Sequence, residues 1–296
     1  MKRFERRSED ASEQVGLIDG RCVAYDQYGA VDGRPIFYFH GVPSSRLDFC
    51  MFNDDEVVRR AGARIIAIDR PGCGLSTFKP GRRIADWPND VTAVADHLGI
   101  DRFEVLGWSG GAPYALACAA LIPDRVISAV VASALGPHDV PGLVEGMSPE
   151  TLRFFTLNRD RPEIGRMFDR LMAFGARRNP ERFLERSMSA LPPADRDVLR
   201  TPGVASAYVD AVLEAFRRGP RGAQLDAALL ASSWDFDPRA IGIPVHLWHG
   251  ERDTDAPPAM GSWIAASVPG CRAVFVPNEG HISLVVNRVE LILSNP

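Results

Sequence analysis

The sequence predicts an α/β fold: a mostly parallel sheet, helices on both of its faces, and a helical segment inserted late in the chain. Three observations carry that prediction. Short apolar runs of strand length alternate with helix-length amphipathic stretches along most of the chain. The runs are too short for helices and lack the polar alternation of a half-exposed strand, as strands covered on both faces do. Finally, the buried-strand pattern disappears between Gly136 and Asp235 and then returns.

In chain order, LIDGRCVAYDQYG reads as a hairpin turning at Asp19-Gly20, so antiparallel strands open the sheet. PIFYFHG is a buried strand, and a charged amphipathic segment from Arg46 to Arg60 separates it from the next one, RIIAID. A helix from Ile84 to Leu98 leads to the strand FEVLG, then to GWSGG, a small-residue helix and the strand RVISAVVASAL. After the interval come IPVHLWHG, a helix, RAVFVPN and a last helix. The division that follows is a core of residues 1–135 and 236–296 and a helical cap of residues 136–235. Arginines and carboxylates balance within the cap, so its many arginines read as solvated helix faces and not as a polyanion site.

Composition narrows the function. With 296 residues, 46% hydrophobic and 24% charged, the chain is globular and long enough to bury a sizeable core. A net charge of -4 and a pI near 5.9 offer no basic field for phosphate backbones, which argues against nucleic acid as a partner. Five cysteines without a C-x-x-C pair point to free thiols in a reducing compartment. No apolar h-region follows MKRFERRSEDASEQ, and no run of about 18 apolar residues occurs, so the expectation is a cytoplasmic protein with no membrane partner and a loosely ordered first dozen residues. Nothing in the sequence sets the oligomeric state.

GWSGG fits the pattern G-x-S-x-G, with an apolar strand before it and helix-forming small residues after it. In a turn that sharp, Ser109 takes a strained backbone conformation with its hydroxyl exposed, and glycines at 107 and 111 let neighbouring backbone approach. A five-residue match alone equally suits a glycine-rich link between strand and helix. A serine nucleophile also needs a base and a group to orient that base. GERDTDAP places Asp253 and Asp255 in the loop after one late strand, and NEGHISL places His281 in the loop after the next, at the sheet edge where open α/β sheets assemble sites. The order Ser, Asp, His is that of neither the chymotrypsin nor the subtilisin triad.

These segments, with FHGVPSS and DRPGCGLS, resemble the α/β-hydrolase superfamily from about Gly29 to the C-terminus. The resemblance implies Ser109 as nucleophile, His281 as general base and then acid, and Asp253 as the carboxylate that holds the imidazole. Asp255 is the competitor for that last role, or caps the helix beginning near Pro257. The resemblance further implies an oxyanion hole from the backbone N–H groups of Val42 and Gly110, with His40 shaping the loop. DRPGCGLS is then a structural turn secured by Asp69, Arg70 and Ser76, since it lacks the spacing of a phosphate loop. His97, His138, His246 and His249 read as structural residues. Cys118 reads as a packed small residue.

A serine at the elbow disfavours the aspartate-based chemistry of haloalkane dehalogenases and epoxide hydrolases, which leaves acyl transfer. The leading expectation is a carboxylic ester hydrolase acting on a small, apolar molecule and needing no cofactor or metal. A proline iminopeptidase-like enzyme or a carbon-carbon bond hydrolase would use the same triad, and a non-catalytic ligand-binding protein could retain it. Substrate contacts are expected from Trp108, from His40, and from cap residues such as Phe154, Met167, Met172, Met188 and Phe216. Many such residues are needed simply to pack amphipathic helices.

Overall fold

The computed structural model describes residues 12–52 and 55–294. The expectation for the N-terminal dozen concerns residues of which the first eleven lie outside this range. Eight strands form one sheet in the order β1-β2-β4-β3-β5-β6-β7-β8. They are Glu13–Gly16, Cys22–Gly29, Arg34–Phe39, Ala63–Ile68, Phe103–Trp108, Val126–Ala132, Val245–Gly250 and Arg272–Val276, numbered β1 to β8 in chain order. Strands β1 and β2 pair antiparallel around the Asp19-Gly20 turn, and β2 runs antiparallel to β4. All other pairings are parallel.

Burial on both faces explains the unbroken apolar runs. In β3, Phe37 and Phe39 join one core and Ile36 and Tyr38 the other, as the two-residue period of a strand requires. Helices α2 (Trp87–His97), α3 (Ala112–Leu121) and α10 (Pro258–Ser267) contribute to the first core. The second takes residues from α1 (Asp55–Arg60) and α11 (Ser283–Ser294).

Between β6 and β7 the chain makes six helices and no strand: α4 (Pro149–Asp160), α5 (Pro162–Arg178), α6 (Pro180–Ser189), α7 (Pro193–Leu199), α8 (Pro202–Ala215) and α9 (Arg221–Leu230). Each of the first five has proline in its first turn, where a missing N–H costs nothing. Helices α5 and α6 carry one apolar and one charged face, and α6 buries none of its residues. Among the described residues no helix is long and apolar enough to cross a membrane.

Candidate active site

Ser109 stands where β5 ends, three residues ahead of the start of α3, with φ at +55°. A residue with a Cβ enters that left-handed region only when its surroundings hold it there. The surroundings are close indeed: a Cβ on Gly111 would lie 2.0 Å from the Phe39 carbonyl oxygen, and one on Gly107 would lie 2.5 Å from that of Gly111. Only glycine permits this approach.

The turn delivers the Ser109 hydroxyl to a histidine. Its Oγ lies 2.8 Å from His281 Nε2, and His281 Nδ1 lies 2.8 Å from Asp253 Oδ2. All three side chains are buried. A carboxylate can only accept, so Nδ1 carries the proton given to Asp253, and Nε2 of the neutral ring is left to accept from the serine. The second oxygen of Asp253 accepts the backbone N–H groups of Asp255 at 2.9 Å and Ala256 at 2.8 Å, which fixes the carboxylate plane. Burial opposes protonation of His281, but Asp253, with Asp255 and Asp195 near by, outweighs it and raises the pKa to about 9.

Asp255 faces elsewhere. It accepts from Thr151 Oγ1 at 2.5 Å and lines the cavity above Ser109. It does not cap the following helix, whose N-cap is Pro257 with no side-chain bond.

The backbone of His281 is gripped from both sides, by Asp195 and Ser133, which sequence reasoning missed, and by Trp108, which it had placed at the site. Asp195, on α7, accepts the N–H groups of His281 (2.9 Å), Ile282 (3.0 Å) and Ser283 (2.8 Å). The His281 carbonyl accepts from Ser133 Oγ at 3.0 Å and Trp108 Nε1 at 3.3 Å. Trp108 therefore both braces the histidine loop and lines the cavity. No local signal separates Asp195 from Asp197, two residues on, which is exposed and pairs with Arg200.

The loop His40–Pro43 is clamped from below. Arg70 donates to the carbonyls of His40 (2.5 Å) and Gly41 (2.7 Å), its backbone N–H donates to His40 Nε2 (3.1 Å), and Asp48 accepts the Gly41 N–H (2.9 Å). Val42 and Gly110 are neighbours: a Cβ on Gly110 would lie 2.8 Å from Val42 Cγ1. His40 is fully buried and is not among the cavity-lining residues, so the expected substrate contact is corrected to a purely supporting one. Asp69 and Ser76 do secure the DRPGCGLS turn, through Asp69 bonds to Leu75 N–H and from Ser76 Oγ. Arg70 joins the turn through its carbonyl, which accepts the Cys73 N–H at 2.9 Å, while its side chain reaches the His40–Pro43 loop and Asp226 on α9.

Asp226 is buried with both arginines it meets, Arg70 at 2.7 Å and Arg82, and it also accepts from Tyr114 at 2.9 Å. Burial alone would raise its pKa, yet the two guanidiniums hold it well below the usual carboxylate range.

A cavity of about 970 Å³ opens above Ser109 and His281. Phe154 and Met172 line it as expected, together with Phe155, Phe168, Phe174 and Tyr208. Met167, Met188 and Phe216 do not. Met167 is exposed, whereas Phe216 is buried against Ala173 and Val212. Among the described residues no group of three or more His, Cys, Asp or Glu side chains is placed to hold a metal ion.

The fold and this geometry define a class of protein that comparison identifies. Residues 34–287 match the alpha/beta hydrolase fold family, and the chain belongs to it. A bifunctional esterase/perhydrolase from Acinetobacter calcoaceticus is 30% identical over 256 residues, covering 82% of this chain and 83% of its own. A pimeloyl-[acyl-carrier protein] methyl ester esterase from Neisseria meningitidis is 27% identical over 258 residues, covering 84% and 86%. The acetyltransferase component of an acetoin cleaving system from Pseudomonas putida is 29% identical over 168 residues, which span 55% of this chain but only 43% of that longer protein. Among solved structures, the esterase RhEst1 from Rhodococcus sp. ECU1013 superimposes with a TM-score of 0.67 at 22% identity, covering 96% of this chain and 98% of the other.

Proposed function

We propose that this hydrolase-family member is a serine esterase that cleaves carboxylic esters of small, largely apolar molecules through an acyl-enzyme. The carrying observation is the hydrogen-bonded series Ser109–His281–Asp253 at the floor of an apolar cavity. Full-length relatives named as esterases support the same reading.

In the proposed sequence, Ser109 Oγ attacks the ester carbonyl carbon as its proton passes to His281 Nε2. The backbone N–H groups of Val42 and Gly110 receive the oxyanion, and one such donor is typically worth about 10² to 10³ in rate. The C–O bond to the alcohol then breaks, and His281 returns the proton to the departing oxygen. Water, deprotonated by the same nitrogen, releases the acid and restores Ser109. Asp253 stabilises the imidazolium formed on the way. Residues 136–235 act as the cap that selects the substrate over the core of residues 1–135 and 236–296.

The test is release of nitrophenol from short acyl esters, beside cleavage of prolyl amides and diketones. Ester turnover by the wild type, with fluorophosphonate labelling that Ser109→Ala abolishes, supports the reading; binding without turnover overturns it.

A further inference from the structure

The arginines buried in this protein are matched by carboxylates: Arg46 meets Asp26, Asp69 and Glu214, and Arg70 and Arg82 meet Asp226. Four exposed arginines also line the cavity above Ser109: Arg153 of α4, Arg178 of α5, and Arg182 and Arg186 of α6, and among the described residues none of the four is in an ion pair. The two carboxylates on the same cavity do not answer them: Asp255 is engaged by Thr151, and Glu150, in the first turn of α4, pairs with none of them.

Helical spacing shows that the arrangement is a face and not a scatter. Arg182, Phe183, Arg186 and Ser187 repeat at one and four residues, so α6 presents one stripe to the cavity, with two arginines a turn apart beside Phe183 and Ser187. To the same cavity α5 contributes Phe168, Leu171 and Phe174, each more than two-fifths exposed although bulky and apolar. Arg153 lies over the Phe168 ring at 5.5 Å, so one guanidinium is held against that apolar wall. An apolar wall bounded by guanidinium forks fits a molecule with an apolar chain and an anionic end, because the planar fork matches the oxygens of carboxylate or phosphate.

We propose that the substrate is an anionic amphiphile: an ester whose apolar chain lies along the cavity and whose end remote from the scissile carbonyl carries carboxylate or phosphate, held by Arg153, Arg178, Arg182 and Arg186. The position of the scissile bond rests on the esterase reading above. The anion preference itself does not require turnover.

It is therefore tested by binding to the Ser109→Ala protein, in calorimetry with two matched pairs. Monomethyl suberate against methyl octanoate places a carboxylate at the end of the acyl chain. The phosphate ester of 2-hydroxyethyl octanoate against 2-hydroxyethyl octanoate places a phosphate on the alcohol side. The charged member of at least one pair binds about tenfold more tightly, and which pair it is assigns the anion. That preference disappears when Arg182→Glu and Arg186→Glu are added, and it shrinks in high salt with the rim unaltered, as screening of exposed charges demands. Equal or weaker binding of both charged members, or a preference that survives charge reversal, overturns the proposal. If the wild type hydrolyses none of the four esters while the Ser109→Ala protein still prefers the charged ones, the esterase reading fails and this one stands.

Discussion

Asp195 accepts the backbone N–H of His281 at 2.9 Å, from a helix that lies 86 residues earlier in the chain. The same carboxylate takes the next two N–H groups, so three successive donors converge on one side chain. Buried charge is costly unless matched in this way. The consequence is mechanical: α7, which belongs to the helical insertion, sets the position of the imidazole on the core.

Asp195→Ala leaves those three N–H groups without their acceptor and frees the loop. The expected result is a fall in kcat of about ten- to a hundredfold for a short ester, with KM within about threefold, since the cavity walls are untouched. Asp195 also helps to raise the His281 pKa, so the rising, acid-side limb of the pH profile moves to lower pH. Loss of folded protein alone would lower activity without moving that limb.

The two neighbouring carboxylates are expected to respond very differently to amidation. On the esterase reading, Asp253→Asn replaces the acceptor facing His281 Nδ1 and favours the wrong tautomer, and the corresponding change in the chymotrypsin-type triad costs about 10⁴ in kcat. Asp255→Asn keeps an acceptor for Thr151 and touches neither ring nitrogen, so the loss stays below about tenfold. Steady-state kinetics on both variants check this, and the reverse ranking would reassign the acid.

Activity and stability have opposite pH dependence at His281. On the esterase reading the ring must be neutral to take the serine proton, and its pKa is raised to about 9, so kcat/KM is expected to climb through neutral pH and to level off only near that value. For stability the sign reverses. A folded pKa above the unfolded value of 6.5 means the folded state binds the proton more tightly. That contribution is complete below about pH 6.5 and is lost as pH rises through about 9. Initial rates and urea midpoints across this window test both halves; a rate limb centred near 7 would show that the three carboxylates do no more than offset burial at His281.

Ser109, Asp253 and His281 were legible because each stands in a short segment whose local chemistry is distinctive: a glycine-bounded elbow, and two polar loops after apolar strands. The sheet was legible for the same reason, since burial on both faces leaves continuous apolar runs. Asp195 and Asp226 were not. Their partners are backbone N–H groups and arginines scores of residues away, and an aspartate on an amphipathic helix looks the same in sequence whether it faces water or the core. Arg70 was legible only in part: its carbonyl accepts the Cys73 N–H locally, as a turn containing Asp, Arg and Ser suggests, but its guanidinium reaches His40, Gly41 and Asp226, which no local pattern announces. The cap arginines read as solvated faces by their balance with carboxylates, yet composition says nothing of which ones line a cavity.

Asp226 is another point where the inserted helices are fastened to the core, and it is the one whose loss is expected to unfold the protein most readily. Asp226→Asn strands the Arg70 and Arg82 guanidiniums in the interior, each fully or almost fully buried. Removing one partner of such a group typically costs about 3 to 5 kcal/mol. Arg70 also holds the carbonyls of His40 and Gly41, so the loop next to Ser109 loosens with it and kcat falls even in the molecules that stay folded. Adding Arg82→Met to Asp226→Asn removes one uncompensated charge and fills its space with an apolar chain, which restores part of the stability without restoring Arg70 to its place. Urea unfolding of the single and double variants measures the recovery. A double variant no more stable than the single one would show that Arg82 is not stranded, and that the carboxylate is held chiefly by Arg70 and Tyr114.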